Sequence, residues 1–309
     1  MSLAQGRLVP SFERPASSVA IVRAERYEQN LGQVMFEALR EFDLHLDGKH
    51  VLLKPNFVEP DPGGVINTHP AVIQAARESF LRLGAASVRV AEGPGHERDT
   101  EAIVETLRLR DYLGALPDLF VDLNLDEVHR VPLRTHASRL RELYLPQTVL
   151  AADFLVSMPK LKTHHWVGAT LSLKNMFGIV PGCCYGWPKN ILHWAGIPAA
   201  ILDINSTVRA DFAIVDGIVG MEGNGPIQGS PRASGVLILG DDPVAVDSTA
   251  ARVMGLVPER IGYLAKAGTL LGNLQQEKIR QIGESIASVK TPFAVLPSFA
   301  KLRGPSVGD

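Results

Sequence analysis

Cysteine is almost missing from this 309-residue chain: Cys183 and Cys184 are its whole complement, and they are adjacent. Neighbouring thiols cannot staple distant segments, and two fall short of the four thiolates of an iron–sulfur cluster. They close only a strained ring together, so the expectation is two small side chains packing a loop. An excess of either charge is missing too. Lys and Arg number 31 against 33 Asp and Glu, for a net charge of −2. That balance removes the electrostatic case for nucleic acid or an anionic membrane as partner, so any cationic site must be local. No apolar run approaches the roughly 18 residues of a membrane span. The opening MSLAQGRLVPSFERP lacks the basic-then-apolar layout of a secretory signal. Nucleotide motifs are lacking as well: GxxxxGK[ST] does not occur, and Gly93-Pro94-Gly95-His96 resembles a phosphate cradle only loosely. A reducing, cytoplasmic setting is the expectation.

What is present reads as alternating strands and helices. Hydrophobic residues make up 46% of the chain, enough for a large core. Ser18–Val22, Val51–Leu53, Ser87–Ala91, Leu119–Leu123, Val149–Val156, Phe212–Val215 and Gly235–Leu239 are short apolar, β-branched runs of strand character. Between them, Glu28–Phe42, Ala71–Leu83, Asp99–Leu109 and Val244–Met254 carry helical periodicity or helix-start signals. Thr68 reads as a cap before Pro70, and the acids Asp241 and Asp242 as caps before Pro243. The crossover from Val51 to Ala91 is long enough to make its strands parallel. The expected fold is therefore a doubly wound, mainly parallel α/β sheet with helices on both faces. Residues 1–17 read as an N-terminal extension, 18–272 as the α/β domain and 273–309 as a segment wrapping the surface.

Open parallel sheets gather ligand-binding groups at the carboxyl ends of their strands. Lys54-Pro55-Asn56 follows one apolar run and Glu92 follows the next, so these side chains should emerge together. Glu92 suits an ion-pair partner of Lys54 or a proton acceptor. The richest stretch is Ser157–Gly182, with Lys160, Lys162, His164, His165, Lys174 and Asn175 interleaved with Trp166, Met176 and Phe177. In a strand, His164 and His165 would point to opposite sides. With His193 and the two cysteines, they match neither C-x-x-C nor H-x-x-x-H spacing, so a histidine acting as general acid or base is preferred to a metal site. Asp216 ends a further apolar run and opens a Gly-dense loop holding Glu222 and Asn224, where glycine allows close backbone approach to a ligand. Asp247 falls in the first turns of a helix, where the dipole favours a carboxylate. Lys54, Glu92, Lys160, Lys162, Lys174, Asn175 and Asp216 are expected around one cleft.

The segments KPNFVEP (Lys54–Pro60), NTHP (Asn67–Pro70), MPKLKTH (Met158–His164), LSLKNMFGIVPG (Leu171–Gly182), VDGIVGMEGNGP (Val215–Pro226) and DDPVAVDSTAARVMGL (Asp241–Leu256) resemble the family called domain of unknown function 362. The resemblance spans about Ser18 to Gly272. It maps the family's motif positions onto Lys54, Asn56, Lys160, Lys162, His164, Lys174, Asn175, Asp216, Glu222, Asn224 and Asp247. Many relatives carry an appended ferredoxin-like cysteine cluster, which would imply electron transfer. This chain departs from that pattern, so a redox role would need an external electron carrier.

The reading is an enzyme acting on a small anionic metabolite, a carboxylate or phosphate. Lys54, Glu92, Lys160, His164, Lys174 and Asp216 are its catalytic candidates; Asn56, Lys162, Asn175, Glu222 and Asn224 are its binding candidates. Lys54 and Lys160 are expected as the main anion contacts. Clustered lysines depress one another's pKa, so Lys54, Lys160 or Lys174 could serve as a neutral base or Schiff-base amine. The alternatives are a redox accessory protein and a non-catalytic ligand-binding module. Cofactor, reaction type and oligomeric state stay open.

Overall fold

The computed structural model describes residues 16–95 and 99–304. Most of the expected N-terminal extension, and His96 of the Gly93–His96 loop, lie outside the described residues. In chain order the strands are β1 (Ser17–Arg23), β2 (His50–Pro55), β3 (Ser87–Glu92), β4 (Phe120–Asp122), β5 (Val128–Pro132), β6 (Glu142–Pro146), β7 (Phe154–Met158), β8 (Lys160–His164), β9 (Gly168–Thr170), β10 (Phe212–Asn224), β11 (Gln228–Gly240) and β12 (Ile279–Gly283). The helices that matter below are α1 (Leu31–Leu39), α2 (Pro70–Arg82), α3 (Thr100–Thr106), α4 (Leu109–Leu113), α5 (Gln147–Ala151), α6 (Ser172–Asn175), α7 (Gly182–Tyr185), α8 (Asn190–Trp194), α9 (Ile197–Thr207), α10 (Pro243–Val253) and α11 (Gly262–Leu270).

The central sheet runs β12-β1-β11-β10-β7-β2-β3-β4, with β8 joining β10 and β9 joining β8. It is mainly parallel: β4, β3, β2, β7 and β10 run the same way, and β8 continues parallel to β10. Only β11 and β9 run against their neighbours. Both faces are covered. Val51 and Leu53 of β2 enter one core with Met35 of α1, Phe80 of α2 and Ile103 of α3. Leu52 enters the opposite core with Ile201 of α9, Val246 of α10 and Leu264 of α11. Burial on both faces is why these strands read as unbroken apolar runs rather than alternating ones.

Three local expectations are corrected. Val149–Ala151 is the end of α5, and the strand starts only at Phe154. The cap of α2 is His69, whose Nδ1 accepts from Ala71 N at 3.2 Å. Thr68 is otherwise engaged, donating to Met158 O at 2.6 Å while accepting from Asn56 N at 2.9 Å. The Gly-dense stretch after Asp216 is no loop: it continues β10 to Asn224 and turns back as β11. Its glycines serve strand packing, since a Cβ at Gly217 would lie 2.9 Å from Val236 O and one at Gly220 2.5 Å from Leu161 O. Beyond residue 272 the chain returns to the sheet, where β12 pairs parallel with β1.

Candidate functional site

Lys54 and Glu92 end the adjacent parallel strands β2 and β3 and meet at the carboxyl edge. Lys54 Nζ lies 2.5 Å from Glu92 Oε2, and both side chains are 1% exposed. The ammonium also donates to Pro55 O at 2.8 Å and to Asn175 Oδ1 at 3.1 Å. Glu92 accepts from Phe57 N at 3.1 Å and Gly93 N at 3.0 Å. Burial lowers the Lys54 pKa, and the Glu92 carboxylate opposes that shift. Asn175 ties the edge together, its Nδ2 donating to Lys54 O at 3.1 Å and Ser157 Oγ at 3.0 Å.

Asn175 and Lys174 sit on α6, a single turn too short to be stable alone. Asp247 of α10 pins it, accepting from Ser172 N at 2.7 Å, Leu173 N at 3.0 Å and the Ser172 hydroxyl. Its carboxylate thus satisfies two orphan N–H groups of a different helix from its own. Burial pushes the Asp247 carboxyl up to about 7 against those hydrogen bonds.

These residues wall one side of a cavity of about 200 Å³. Lys54, Asn56, Glu92, Lys162, His164, His165, Thr170, Lys174, Asn175, Lys189 and His193 line it, with Trp166, Phe177 and the hairpin tip Pro226-Ile227. Among the described residues its charge is lopsided: four lysines face one carboxylate. Lys162 is 0% exposed, and its acceptors among the described residues are two backbone carbonyls, Ile66 O at 2.7 Å and Pro226 O at 3.3 Å. Burial, then Lys160 and Lys174, hold its pKa well below the usual lysine value. Lys189 is likewise buried, donating to Gly93 O at 2.7 Å and Phe177 O at 2.9 Å. Burial brings its pKa down to about 7. Lys174 Nζ stands 3.9 Å from the Phe177 ring centroid, and burial followed by the Lys54 charge brings it down to about 7.

The histidine pair is better placed than strand alternation implies. His164 closes β8 and His165 begins the turn, so both rings face the cavity with centroids 5.1 Å apart. His164 Nδ1 accepts from Trp166 N at 3.1 Å, which leaves its proton on Nε2 in the neutral ring. His165 Nδ1 lies 2.8 Å from Gly225 O, so that nitrogen carries the proton and Nε2 the lone pair. Burial and the Lys174 charge push His164 down to about 2, which keeps it neutral. Two further polar atoms lie at the site: Asn56 Oδ1 and Thr170 Oγ1 are buried without a hydrogen-bond partner among the described residues. Buried polar groups are nearly always paired, so these two leave hydrogen-bonding capacity at the cavity wall that a water or a ligand would use.

Lys160 and Asp216 are brought together, but elsewhere. Lys160 begins β8, two residues or about 6.6 Å back from Lys162 along the strand. There it donates to Asp216 Oδ2 at 2.9 Å and Tyr27 Oη at 2.7 Å, with both charged partners 0% exposed. Asp216 also accepts from His69 N at 3.0 Å and from Tyr27, which stacks on His69 at 3.8 Å. This network is closed on itself and does not line the cavity. Glu222 accepts from Ala294 N at 2.8 Å and Asn224 bonds Gln228 at 3.0 Å; both belong to the β10–β11 hairpin, and neither lines the cavity. Lys189 and Thr170 join the site without any motif pointing to them. Lys189 takes a left-handed backbone at φ +66° to reach inward.

Among the described residues, no three His, Cys, Asp or Glu side chains gather as metal ligands, and no helix is long and apolar enough to cross a membrane. Cys183 and Cys184 lie in α7 with sulfurs 3.9 Å apart.

Residues 51–252 match the family described as domain of unknown function (DUF362), and the chain belongs to that family. It is 29% identical over 263 residues to thylakoid-associated protein sll1697 of Synechocystis sp., covering 80% of this chain and 78% of that one. Among solved structures it is similar to the lactate racemase apoprotein of Thermoanaerobacterium thermosaccharolyticum, at 13% identity and a TM-score of 0.42 over 68% of this chain and 52% of that one. A Thermotoga maritima protein aligns at 14% identity and a TM-score of 0.41, over 69% of this chain and 55% of that one. The chain thus spans about half the length of each of these two structures.

Proposed function

We propose that this protein is an enzyme that binds a small anionic metabolite in the cavity between Lys54, Lys162 and Lys189. The observation that carries the reading is the set of buried lysines, Lys54, Lys162 and Lys189, that among the described residues share a cavity with the single carboxylate Glu92. Burying a cation without a counter-ion is costly, and an anionic ligand supplies that counter-ion. The contacts differ from those expected from sequence. Lys54 is held by Glu92 and Lys160 by Asp216, so recognition passes to Lys162, Lys189 and the His164 Nε2–H. Size narrows the ligand. A cavity of roughly 150 Å³ holds benzene, so about 200 Å³ suits a carboxylic acid of a few carbons.

The depressed lysine pKa values give binding a signature. Lys174 and Lys189 titrate near 7 in the ligand-free protein. An arriving anion favours their ammonium forms, so it draws protons in with it. Calorimetric titration with short carboxylates in buffers of differing ionisation enthalpy should show net proton uptake near neutral pH, with affinity falling as pH rises through about 7. Lys162→Met should weaken binding roughly tenfold or more, since hydrogen bonds to charged groups are worth about 1.5–3 kcal/mol. The same variant should be at least as stable as the wild type, because it removes a buried charge that has no carboxylate partner. Unchanged affinity in Lys162→Met would sink the proposal.

A further inference from the structure

Of the lysines at the carboxyl edge, one differs from the rest in its hydrogen bonding. Lys54, Lys160, Lys162 and Lys189 each donate to two or three acceptors. Lys174 has no hydrogen-bond acceptor or carboxylate partner among the described residues; its Nζ has only the Phe177 ring face at 3.9 Å. An ammonium group carries three donors, and those donors are what a folded protein ordinarily satisfies. A neutral amine needs less, and its lone pair is a nucleophile. Asp247 and Asn175 hold the helix that carries it in place from two sides. An amine on a clamped turn, at the wall of an anion-sized cavity, is poised to react rather than to pair.

We propose that the ligand is a small 2-oxo acid and that Lys174 captures its carbonyl carbon as an imine. This rests on the anion reading above and adds the substrate class. The carboxylate goes to Lys162 and Lys189, which sets the adjacent carbonyl before Lys174. Nζ supplies its lone pair to the carbonyl carbon, the C=O π pair moves to oxygen, and one amine proton follows it to give the carbinolamine. The nitrogen lone pair then forms C=N while the hydroxyl leaves as water with a proton from solvent, giving a protonated imine. No oxidant or reductant is consumed. The neutral His164 donates its Nε2–H to the developing oxyanion, as oxyanion-hole donors do. The orphaned Asn56 Oδ1 finds a use here as well. It is an acceptor in a site otherwise crowded with donors. A 2-oxo acid anion offers it no proton, but the carbinolamine hydroxyl and the iminium N–H both do.

The test is reductive trapping of the full-length protein with pyruvate and borohydride, followed by peptide mass spectrometry, alongside calorimetry with pyruvate and with propionate. The expected result is binding of both acids and a reduced adduct of pyruvate on Lys174. At saturating pyruvate that adduct should increase with pH above about 7, since the bound carboxylate holds part of the Lys174 amine as ammonium beyond its ligand-free midpoint, and it should be lost in Lys174→Met and Lys174→Ala. Both variants should stay folded and still bind propionate through Lys162 and Lys189, with less proton uptake than the wild type because Lys174 no longer titrates. Binding of both acids with no adduct, or with the adduct on another lysine, overturns the imine and leaves the anion reading standing. Binding of neither acid overturns both.

Discussion

Gly178→Ala tests whether the Lys54–Glu92 pair is as firmly fixed as its geometry implies. Two effects of opposite sign compete. Gly178 lies outside the left-handed region, so alanine meets no backbone strain there. At such positions Gly→Ala ordinarily stabilises by about 0.4–1 kcal/mol through the unfolded chain. Against this, the new Cβ would lie 2.0 Å from Glu92 Oε1, 2.3 Å from Lys54 Nζ and 2.5 Å from Lys54 Cε. These are side-chain ends, which on a surface would simply swing away. Here both are 1% exposed, and between them they hold bonds to Pro55 O, Asn175 Oδ1, Phe57 N and Gly93 N. Overpacking costs about 1–3 kcal/mol, and breaking a buried ion pair about 3–5 kcal/mol. Part of the pair's bonding should survive, so the net loss is about 2–4 kcal/mol. For a 309-residue chain, at about 2.1 cal/mol/K of unfolding entropy per residue, that is a fall in Tm of roughly 3–6 °C. Guanidinium unfolding of both proteins measures it, with the slope checked for constancy. A variant as stable as the wild type, or more so, would refute a rigid pair at the cavity wall.

Two further outcomes follow from the same geometry. Lys160→Met should leave anion affinity unchanged yet destabilise by about 3 kcal/mol, because Asp216 loses its buried counter-charge; a binding defect at intact stability would show that Lys160 reaches the ligand after all. The pH dependence of ligand-free stability has a fixed sign. Lys174 and Lys189 have folded pKa values of about 7, below the ordinary lysine value of 10.5. Between those limits the unfolded chain binds more protons, so their contribution makes stability rise with pH from about 7 upward. Denaturation on either side of pH 7 should show that rise and saturating anion should flatten it; a rise that the anion leaves untouched would contradict the coupling.

The strand ends were legible because burial on both faces leaves a plain signal: Val51–Leu53 is an apolar run closed at once by Lys54, while Ser87–Ala91, with exposed Arg89 at its centre, is a weaker one closed by Glu92. Family membership was legible from motif order. Which lysine faces the cavity was not. Lys160 and Lys162 share a strand face in any alternating pattern, and only the distant Tyr27 and Asp216 decide that the first is neutralised. The β10 glycines misled for a related reason. Close backbone approach is needed for a ligand and equally for a neighbouring strand, and Leu161 O and Val236 O are strand partners. Lys189 enters through a backbone conformation rather than a pattern, so no periodicity carries it. Asp247 was visible as a helix-start acid, but the N–H groups it satisfies belong to α6, 75 residues away in sequence.

The sheet order also fixes a schedule for synthesis. β1 is made early, yet its partners are Val236–Gly240 of β11 and Ile279–Gly283 of β12, the last strands to be made. Val19, Ala20 and Ile21, fully buried in the finished protein, must therefore wait through more than 200 residues of elongation, as the Ser18–Asp241 separation of 223 records. Nascent domains gather structure from the N-terminal side as they emerge, and an apolar strand without a partner invites pairing with other chains. A nascent chain paused after Ile227 would hold every residue that lines the cavity while β1 still had no strand to pair with. In this topology the pocket is complete in sequence before the first strand has a place in the sheet, and the long interval between them is when the chain most needs protection from its neighbours.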